Sequence, residues 1–506
     1  MRSDRKVNLK KHKKETKMAK FNRSEMRDKI YACWMGKNIG GTMGTPYEGR
    51  QQLNDIQGFV TKPGETLVND DLDLQLVWLK AAEHLGPRAI NERVLGEYWL
   101  TYITPHWNEY GVGKSNMRGG FMPPLSGEVT NEQWKHSNGA WIRTEIWACL
   151  FPGLPDRAIR YAYYDACVDH GYGEGTYAAI FIEAMESAAF VTNDLRELLR
   201  IGLSKIPENC RTAQSVRLVI EEYDRGTDWK DTRNKVLEHD SDLGWFQAPG
   251  NVAFTVLGLL YGEGDFKKTL ITAINCGDDT DCTGATAGAL MGIMYGSAGI
   301  PEDWRSYIGD SITVGCLLHG HCSYPKTCTE LTDRVIRLQR EALRESNNCV
   351  IEGETDLSDI NVNNFLGSSF ADEIGRRSRY SFEESNIMVS ALVELDDEPA
   401  ISPMGTLTGK ITLKNATIPY TPYPLLPGQR RYHLRWLTQD GFTVTGDLNV
   451  HAHTVHDKHR YYVEPSVAHF KIQAPEKVQA MQNIVLEITS PGRFMPLYVS
   501  IPLMGK

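Results

Sequence analysis

The stretch INCGDDTDCTGATAGALMG, residues 274–292, decides how the N-terminal part of this chain is read. It crowds Asp278, Asp279 and Asp281 into four positions and then runs on in small residues, with Gly284, Gly288 and Gly292 at every fourth place. That spacing lines the glycines along one face of a helix. Glycine inside a helix costs about 1 kcal/mol relative to alanine, so a stripe of them calls for a close approach by another backbone or a ligand. Gly36, Gly40 and Gly44 repeat the pattern near the N-terminus. Both stripes predict tight packing at the centre of a helical domain. Lys37, Asn38 and Thr42 rule out a membrane helix for the first.

Working outward, residues 24–345 carry helical periodicity. SEMRDKIYACWMGKNIGGTMG opens it, with Ser24 as the expected N-cap and Glu25 and Asp28 in the first turn. DLDLQLVWLKAAEHLG ends at Gly86, and YAAIFIEAMESAAF, VAFTVLGLLYG and TDRVIRLQREALRE are further helical runs, the last started by Thr327 or Thr329. Residues 346–385 are polar and broken, as a linker or wrapping segment would be. From 386 to 506 the segments are short, alternating or β-branched, and separated by Pro, Gly and Asn turns. In RRYHLRWL, Tyr432, Leu434 and Trp436 share one strand face while His433 and Arg435 share the other. Six or seven such strands predict a β-sandwich. The expected architecture is therefore multidomain: a basic disordered tail over 1–23, an all-α orthogonal helical domain over 24–345, a linker over 346–385 and a β-sandwich over 386–506.

Composition narrows the function. The chain has 506 residues, a net charge of −9 and 41% hydrophobic residues, the make-up of an ordinary soluble protein. An acidic balance argues against a nucleic-acid-binding face, and no run approaches the length needed to cross a bilayer. Ten scattered cysteines read as free thiols in a reducing compartment, so the expected location is cytoplasmic. The first twenty residues carry nine Lys/Arg without an apolar segment, which excludes a secretory signal and fits a solvated extension. Nothing in the sequence sets the oligomeric state.

Two acidic clusters carry the chemistry. One is Asn69-Asp70-Asp71-Leu72-Asp73 and the other Asp278-Asp279-Thr280-Asp281, each where a loop enters a helix. One Asp suffices for a cap, so three in four positions, twice, exceeds what capping needs. Repulsion among them raises their pKa values unless a cation cancels it, and oxygen donors favour Mg²⁺, Mn²⁺ or Ca²⁺ over zinc. An EF-hand loop would need a glutamate where Ala289 or Leu290 stands. The paired DDxxD motifs of isoprenyl-diphosphate synthases do not fit either, because the third Asp comes one position early in both clusters.

Taken together, GKNIGGTMGTPYEG (36–49), NDDLDLQ (69–75), SNGAWIR (137–143), DHGYGEG (169–175), GDFKKTLITAINCGDDTDCTGATAGALMG (264–292) and GIPEDW (299–304) resemble, in order, the motifs of the ADP-ribosylglycohydrolase family, which includes the dinitrogenase reductase-activating glycohydrolases. The resemblance covers about residues 26 to 310 and leaves out the C-terminal β region. It implies an orthogonal all-α fold whose cleft holds two Mg²⁺, with Mn²⁺ able to substitute, and a metal-positioned water that cleaves a ribosyl N- or O-glycosidic bond. It implies a metal set of Asn69, Asp70, Asp71, Asp279 and Asp281, completed by the residue after Asp281. Cys282 stands at that place and a thiol is a poor Mg²⁺ ligand, so Thr283 is the expected substitute. Catalysis would rest on Asp70, Asp71, Asp279 and Glu48, the last assisting as gate or acid/base. Asn138, Arg143 and His170 would lie along the substrate.

Trp141 and Trp147 read as core residues, with a second reading in which Trp141 stacks on a base or sugar. The chain departs from the family pattern at Gly41, usually Asp; at Asn69 and Cys282, usually Thr; at Glu145 and Trp147, usually apolar; and at Asp169, usually Thr. Asp278 falls where the family commonly has Gly. These departures point to a substrate other than ADP-ribosyl-arginine alone.

Other signals are discounted. Cys316, His319, His321, Cys322 and Cys328 fit no structural zinc spacing. His451, His453, His456 and His459 read as a solvated strand end and loop, and the Gly-x-Gly in GLLYGEGDF lacks a preceding strand. Three functions remain: hydrolysis of an ADP-ribosyl bond in a small molecule or ADP-ribosylated partner; hydrolysis of another furanoside, nucleoside or oligosaccharide; and an inactive protein that binds nucleotide or ADP-ribose.

Overall fold

The structure, a computed structural model, describes residues 19–318, 323–344, 349–415, 428–439, 441–457 and 460–506. At its centre the helices Arg23–Gly44 and Thr280–Tyr295 lie directly against each other. The two glycine stripes are each other's partner. A Cβ added at Gly36 would fall 2.0 Å from the Gly288 carbonyl oxygen, one at Gly40 2.0 Å from that of Gly284, and one at Gly292 2.1 Å from that of Ala32. Ordinary contacts between heavy atoms lie near ~3.5–4.0 Å, so only a missing side chain permits this crossing. Every residue from 32 to 44 is buried, the polar Lys37, Asn38 and Thr42 included.

Around this pair pack the helices Asp70–Leu85, Glu174–Ala189, Ala248–Gly262, Phe266–Asn275 and Cys328–Ala342. Asp70–Leu85 stops at Gly86, whose φ of 86° is the left-handed region that glycine favours. Thr327 caps Cys328–Ala342 by accepting from the Glu330 N–H. At the first helix the cap is Asn22 rather than Ser24, because the Asn22 Oδ1 reaches the Ser24 N–H at 2.8 Å and the helix starts at Arg23. Among the described residues no helix is long and apolar enough to cross a membrane.

Two expected boundaries move. Ala19–Phe21, assigned to the tail, form a strand that pairs in parallel with Cys349–Ile351, in the register Ala19 to Cys349. The segment 346–385 wraps more than it links: beyond that strand, Phe370 and Ile374 of the short helix Ser369–Ile374 are buried on the helical core, and Ser381–Ser385 joins the C-terminal sheets.

Those sheets form a sandwich. One runs Arg460–Glu464, Asn449–Asp457, Gly428–Leu437, Met481–Thr489, Leu497–Gly505, Ala400–Ile401; the other runs Ser381–Ser385, Val389–Leu395, Thr406–Asn415, Ser466–Gln473, Thr443–Gly446. The strands outnumber the six or seven expected, since pieces as short as Ala400–Ile401 show no alternation to read. Val393 and Ile411 from one sheet meet Leu486 and Val499 from the other in a common core. Tyr432 and Leu434 point into that core while Arg435 is exposed, as the alternation predicts.

Phe121, Leu125 and Val129 of the helical region belong to the same apolar cluster. Beside them Arg379 pairs with the buried Glu128, Arg93 with Glu384 at 2.7 Å, and the Tyr172 hydroxyl with that of Ser381 at 2.8 Å. Among the described residues nine cysteines are free and buried. Cys328 is the first residue of its helix, whereas His319, His321, Cys322, His459 and the side chains of His453 and His456 lie outside what the structure describes.

Candidate active site

The crossing of the two glycine-striped helices sets one acid cluster opposite the other. Asn69 caps Asp70–Leu85, its Oδ1 accepting from the Asp71 N–H at 2.7 Å. Asp279 holds the N-cap position of Thr280–Tyr295 but makes no side-chain cap bond, which leaves its carboxylate free for the cleft. The turn before it is made by Gly277 (φ 81°) and Asp278 (φ 66°), and this left-handed geometry accounts for a glycine-favouring position at 278. Asp278 does not face the other acids. Its carboxylate accepts from the Phe246 N–H at 3.2 Å and from Asn251, and its backbone pairs with Arg50 and Gly49, stitching the Glu48 loop to the acid loop.

The remaining acids converge. Asp70 Oδ2 accepts from the Tyr110 hydroxyl at 2.8 Å, and Asp279 Oδ2 from the Asn138 amide at 2.7 Å. Both oxygens of Asp71, Oδ1 of Asp279 and Oδ1 of Asp281 are buried without a hydrogen-bond partner. Ligand atoms of Asp71, Asp281 and Cys282 lie within 4.8 Å of one another, as do those of Glu48, Asp279 and Asp281. Buried, unpaired carboxylate oxygens are costly, and a cation among them removes the cost. The oxygens fit a hard dication, while the Cys282 sulfur is a softer donor than such an ion prefers.

Electrostatics follow from this crowding. Burial pushes Asp71 well above the usual carboxylate range against the opposing pull of Lys37, and burial together with Asp281 does the same to Asp279. Asp281 is pushed up to about 6 by burial, with Asp70 adding to it. Glu48, at the exposed cleft mouth, is pushed up to about 8, first by lost hydration and then by Asp281 and Asp70.

The cleft measures about 610 Å³. Glu48, Asp70, Asn138, Asp279 and Asp281 line it, as does Cys282. So do Trp107, Glu109, Tyr110, Trp245 and Phe246, which no local pattern singled out, and Cys316, weighed in the sequence only as part of a discounted zinc cluster. The one sequence clue to Phe246 was the glycine-favouring place taken by Asp278, the residue that holds it.

Five candidates sit elsewhere. Asn69 spends its oxygen on the helix cap and does not line the cleft. Thr283 lies one residue, about 100°, around the helix from Cys282, and its hydroxyl donates to the Thr280 carbonyl at 3.2 Å. Trp141 is fully buried and donates from Nε1 to Asn138 Oδ1 at 3.0 Å, so it aims the amide that holds Asp279 rather than stacking on a ligand. Arg143 is fully buried, paired with Asp165 and Asp169 at 2.7 Å each and lying 4.7 Å from the Trp99 ring. His170 is held between Asp169 at 2.8 Å and the cleft-lining Ser137 at 3.2 Å.

The departures from the family pattern resolve in the same interior. A Cβ at Gly41 would strike the Asn69 amide at 1.9 Å, so Gly41 makes room for Asn69. Glu145 pairs with Lys37 at 2.6 Å and accepts from Gln75 at 2.7 Å, and Trp147 Nε1 donates to Asp165 at 3.3 Å. Asp169 answers Arg143 and His170. These are matched interior partners; of the departures, Cys282 is the one among the described lining residues of the cleft.

The family profile described as ADP-ribosylglycohydrolase matches residues 22–343. The chain is 46% identical over 52 residues to an ADP-ribosyl-[dinitrogen reductase] glycohydrolase of Rhodospirillum rubrum, a match that spans 10% of this chain and 18% of that relative. A solved ADP-ribosylglycohydrolase-related protein complex is similar at 19% identity and a TM-score of 0.41, over 64% of this chain and 99% of that one. A FixG-related protein from Vibrio parahaemolyticus is similar at 12% identity and a TM-score of 0.18, over 24% of this chain and 99% of that one. By the extent of the profile match, the chain belongs to the ADP-ribosylglycohydrolase family.

Proposed function

We propose that the protein is a metal-dependent glycoside hydrolase that cleaves an ADP-ribosyl or related ribosyl N- or O-glycosidic bond. The observation that carries this reading is the set of buried, partnerless carboxylate oxygens on Asp279 and Asp281, which line the cleft, and on Asp71, which is grouped with Asp281 beside it. Asp70, Asp71, Asp279 and Asp281 would hold Mg²⁺ at two positions, or Mn²⁺ in its place. Such a dication, when bound, supplies Lewis-acid polarisation and a template for sugar hydroxyls and water.

The chain's own residues do the rest. Asn138 fixes the Asp279 carboxylate and Tyr110 that of Asp70, so the charge that meets an oxocarbenium-like transition state is oriented before the reaction. At the cleft mouth lost hydration holds the Glu48 carboxyl above the usual carboxylate range, which makes it the group there that can carry a proton. It can give that proton to the departing aglycone as the glycosidic bond breaks and water bonds to the anomeric carbon, the attacking water passing its own proton to solvent.

The test is turnover, with Mg²⁺ or Mn²⁺, of ADP-ribosylated peptides, ADP-ribose derivatives and aryl furanosides. The reading expects hydrolysis of at least one and a loss of about 100-fold or more in Asp279→Ala. Activity unchanged in that variant contradicts the site. The Cys282 sulfur favours one alternative, a binding protein with a weakened metal site; thermal stabilisation by nucleotide without any turnover supports it.

A further inference from the structure

We infer that the two cation positions are unlike: the one formed by Asp71, Asp281 and Cys282 selects a thiophilic dication of the zinc class, beside an oxygen-only position that suits Mg²⁺ or Mn²⁺. The inference rests on the metal-dependent reading above and changes the ion at one of its positions.

The geometry comes first. Ligand atoms of Asp71, Asp281 and Cys282 lie within 4.8 Å of one another. Donors that share a zinc ion stand about 2.0–2.3 Å from it, so two of them on opposite sides are about 4.5 Å apart and the trio needs little closure. Asp71 and Cys282 come from different helices, Asp70–Leu85 and Thr280–Tyr295, so the fold brings them together and not their place in the chain. Asp71 is fully buried, and neither of its carboxylate oxygens has a hydrogen-bond partner among the described residues. Cys282 is buried on the cleft wall beside it.

The donors then set the ion. Asp281 also falls in a second grouping with Asp279, with Glu48 at its exposed edge, and every donor there is oxygen. Asp279 and Asp281 suit a hard cation on that side, while Glu48 stays at the mouth as the proton carrier. A carboxylate has two oxygens, so Asp281 can serve both positions. The first trio ends in sulfur, which Mg²⁺ binds poorly and Zn²⁺ binds well as thiolate. Two carboxylates and a thiolate are three protein ligands, the number that leaves a tetrahedral Zn²⁺ one open position. Neighbouring oxygens do not replace the sulfur: the Thr283 hydroxyl donates to the Thr280 carbonyl at 3.2 Å, and Asn69 Oδ1 accepts from the Asp71 N–H at 2.7 Å. Cys316 lines the same cleft but belongs to neither grouping, which makes it the internal control.

The experiment strips the full chain of metal with a chelator, adds Co²⁺ under reducing conditions as a stand-in for Zn²⁺, and reads the sulfur-to-cobalt charge-transfer band. Expected is a band that saturates at one Co²⁺ per chain, is displaced by Zn²⁺ and survives Mg²⁺ in about 100-fold excess. Cys282→Ser should lose the band and weaken Zn²⁺ binding by about 100-fold without weakening Mg²⁺, and Cys316→Ser should change neither. Protein loaded with one Zn²⁺ should still take up Mn²⁺, followed by the paramagnetic resonance of the free ion. Absence of the band in the native sequence overturns the inference whatever the variants do. A band that persists in Cys282→Ser, or Zn²⁺ loading that blocks all Mn²⁺ uptake, overturns it as well. Turnover of ADP-ribosylated peptides with Mg²⁺ in a protein that shows no band leaves the hydrolase reading standing without the sulfur position. The expected spectra without turnover of any glycoside uphold that position and sink the hydrolase reading instead.

Discussion

Asp278, Asp279 and Asp281 stand within four positions, yet the fold gives them separate work. Asp278 adopts φ 66° and holds the Phe246 backbone, while Asp279 and Asp281 keep buried oxygens free. Cys282 is the letter in that stretch with the most direct consequence. Its sulfur lies within the same 4.8 Å grouping as Asp71 and Asp281, where a hard cation prefers oxygen. Cys282→Thr should therefore tighten Mg²⁺ binding by about 10-fold and leave Cd²⁺ binding weaker, as measured by calorimetric titration of both ions. The carboxylates were legible in sequence because their density exceeds any capping need. Asn69, Thr283, Trp141, Arg143 and His170 were less so, because a motif gives a residue's place in the chain and not which way it faces. Trp107 and Trp245 carried no motif at all and came into view only when separate loops met at the cleft.

At the scale of elements, two four-residue glycine periods read directly as helix faces, since nothing but close backbone approach repays glycine there. What sequence could not supply was that each stripe is the other's partner, a pairing across some 240 intervening residues that only the fold reveals. Gly40→Ala tests it. The added methyl would stand 2.0 Å from the Gly284 carbonyl, an atom of a buried backbone that has nowhere to move. The substitution should destabilise the protein by about 3 kcal/mol in thermal or urea unfolding, despite a gain of about 1 kcal/mol in helix propensity. Unchanged stability would mean that the helices are further apart than described. The short strands of the sandwich and the wrapping segment 346–385 were harder to read, because three to five residues give too few alternations to separate a strand from a turn.

Across the whole molecule, the helical region and the sandwich share apolar surface and ion pairs, and the link reaches the site. Glu128 is held by Arg379 of the C-terminal segment and accepts from the Tyr172 N–H of the turn that also carries Asp169 and His170. Phe121→Ala, at the shared cluster, should cost about 3–5 kcal/mol and lower the unfolding of both regions together; a calorimetric trace in which only one transition moves would show them uncoupled. The central claim is that the gathered acids hold a dication, and equilibrium binding of Mn²⁺, followed by the paramagnetic resonance of the free ion, tests it most directly. The Asp281 carboxyl, raised to about 6, and those of Asp71 and Asp279, raised well above the usual range, must lose protons to bind a cation, so affinity should rise as pH rises through 6 and beyond. Asp71→Asn and Asp281→Asn should each weaken binding by about 100-fold. Wild-type protein that takes up no Mn²⁺ at millimolar concentration, or variants that bind as the wild type does, would contradict the account.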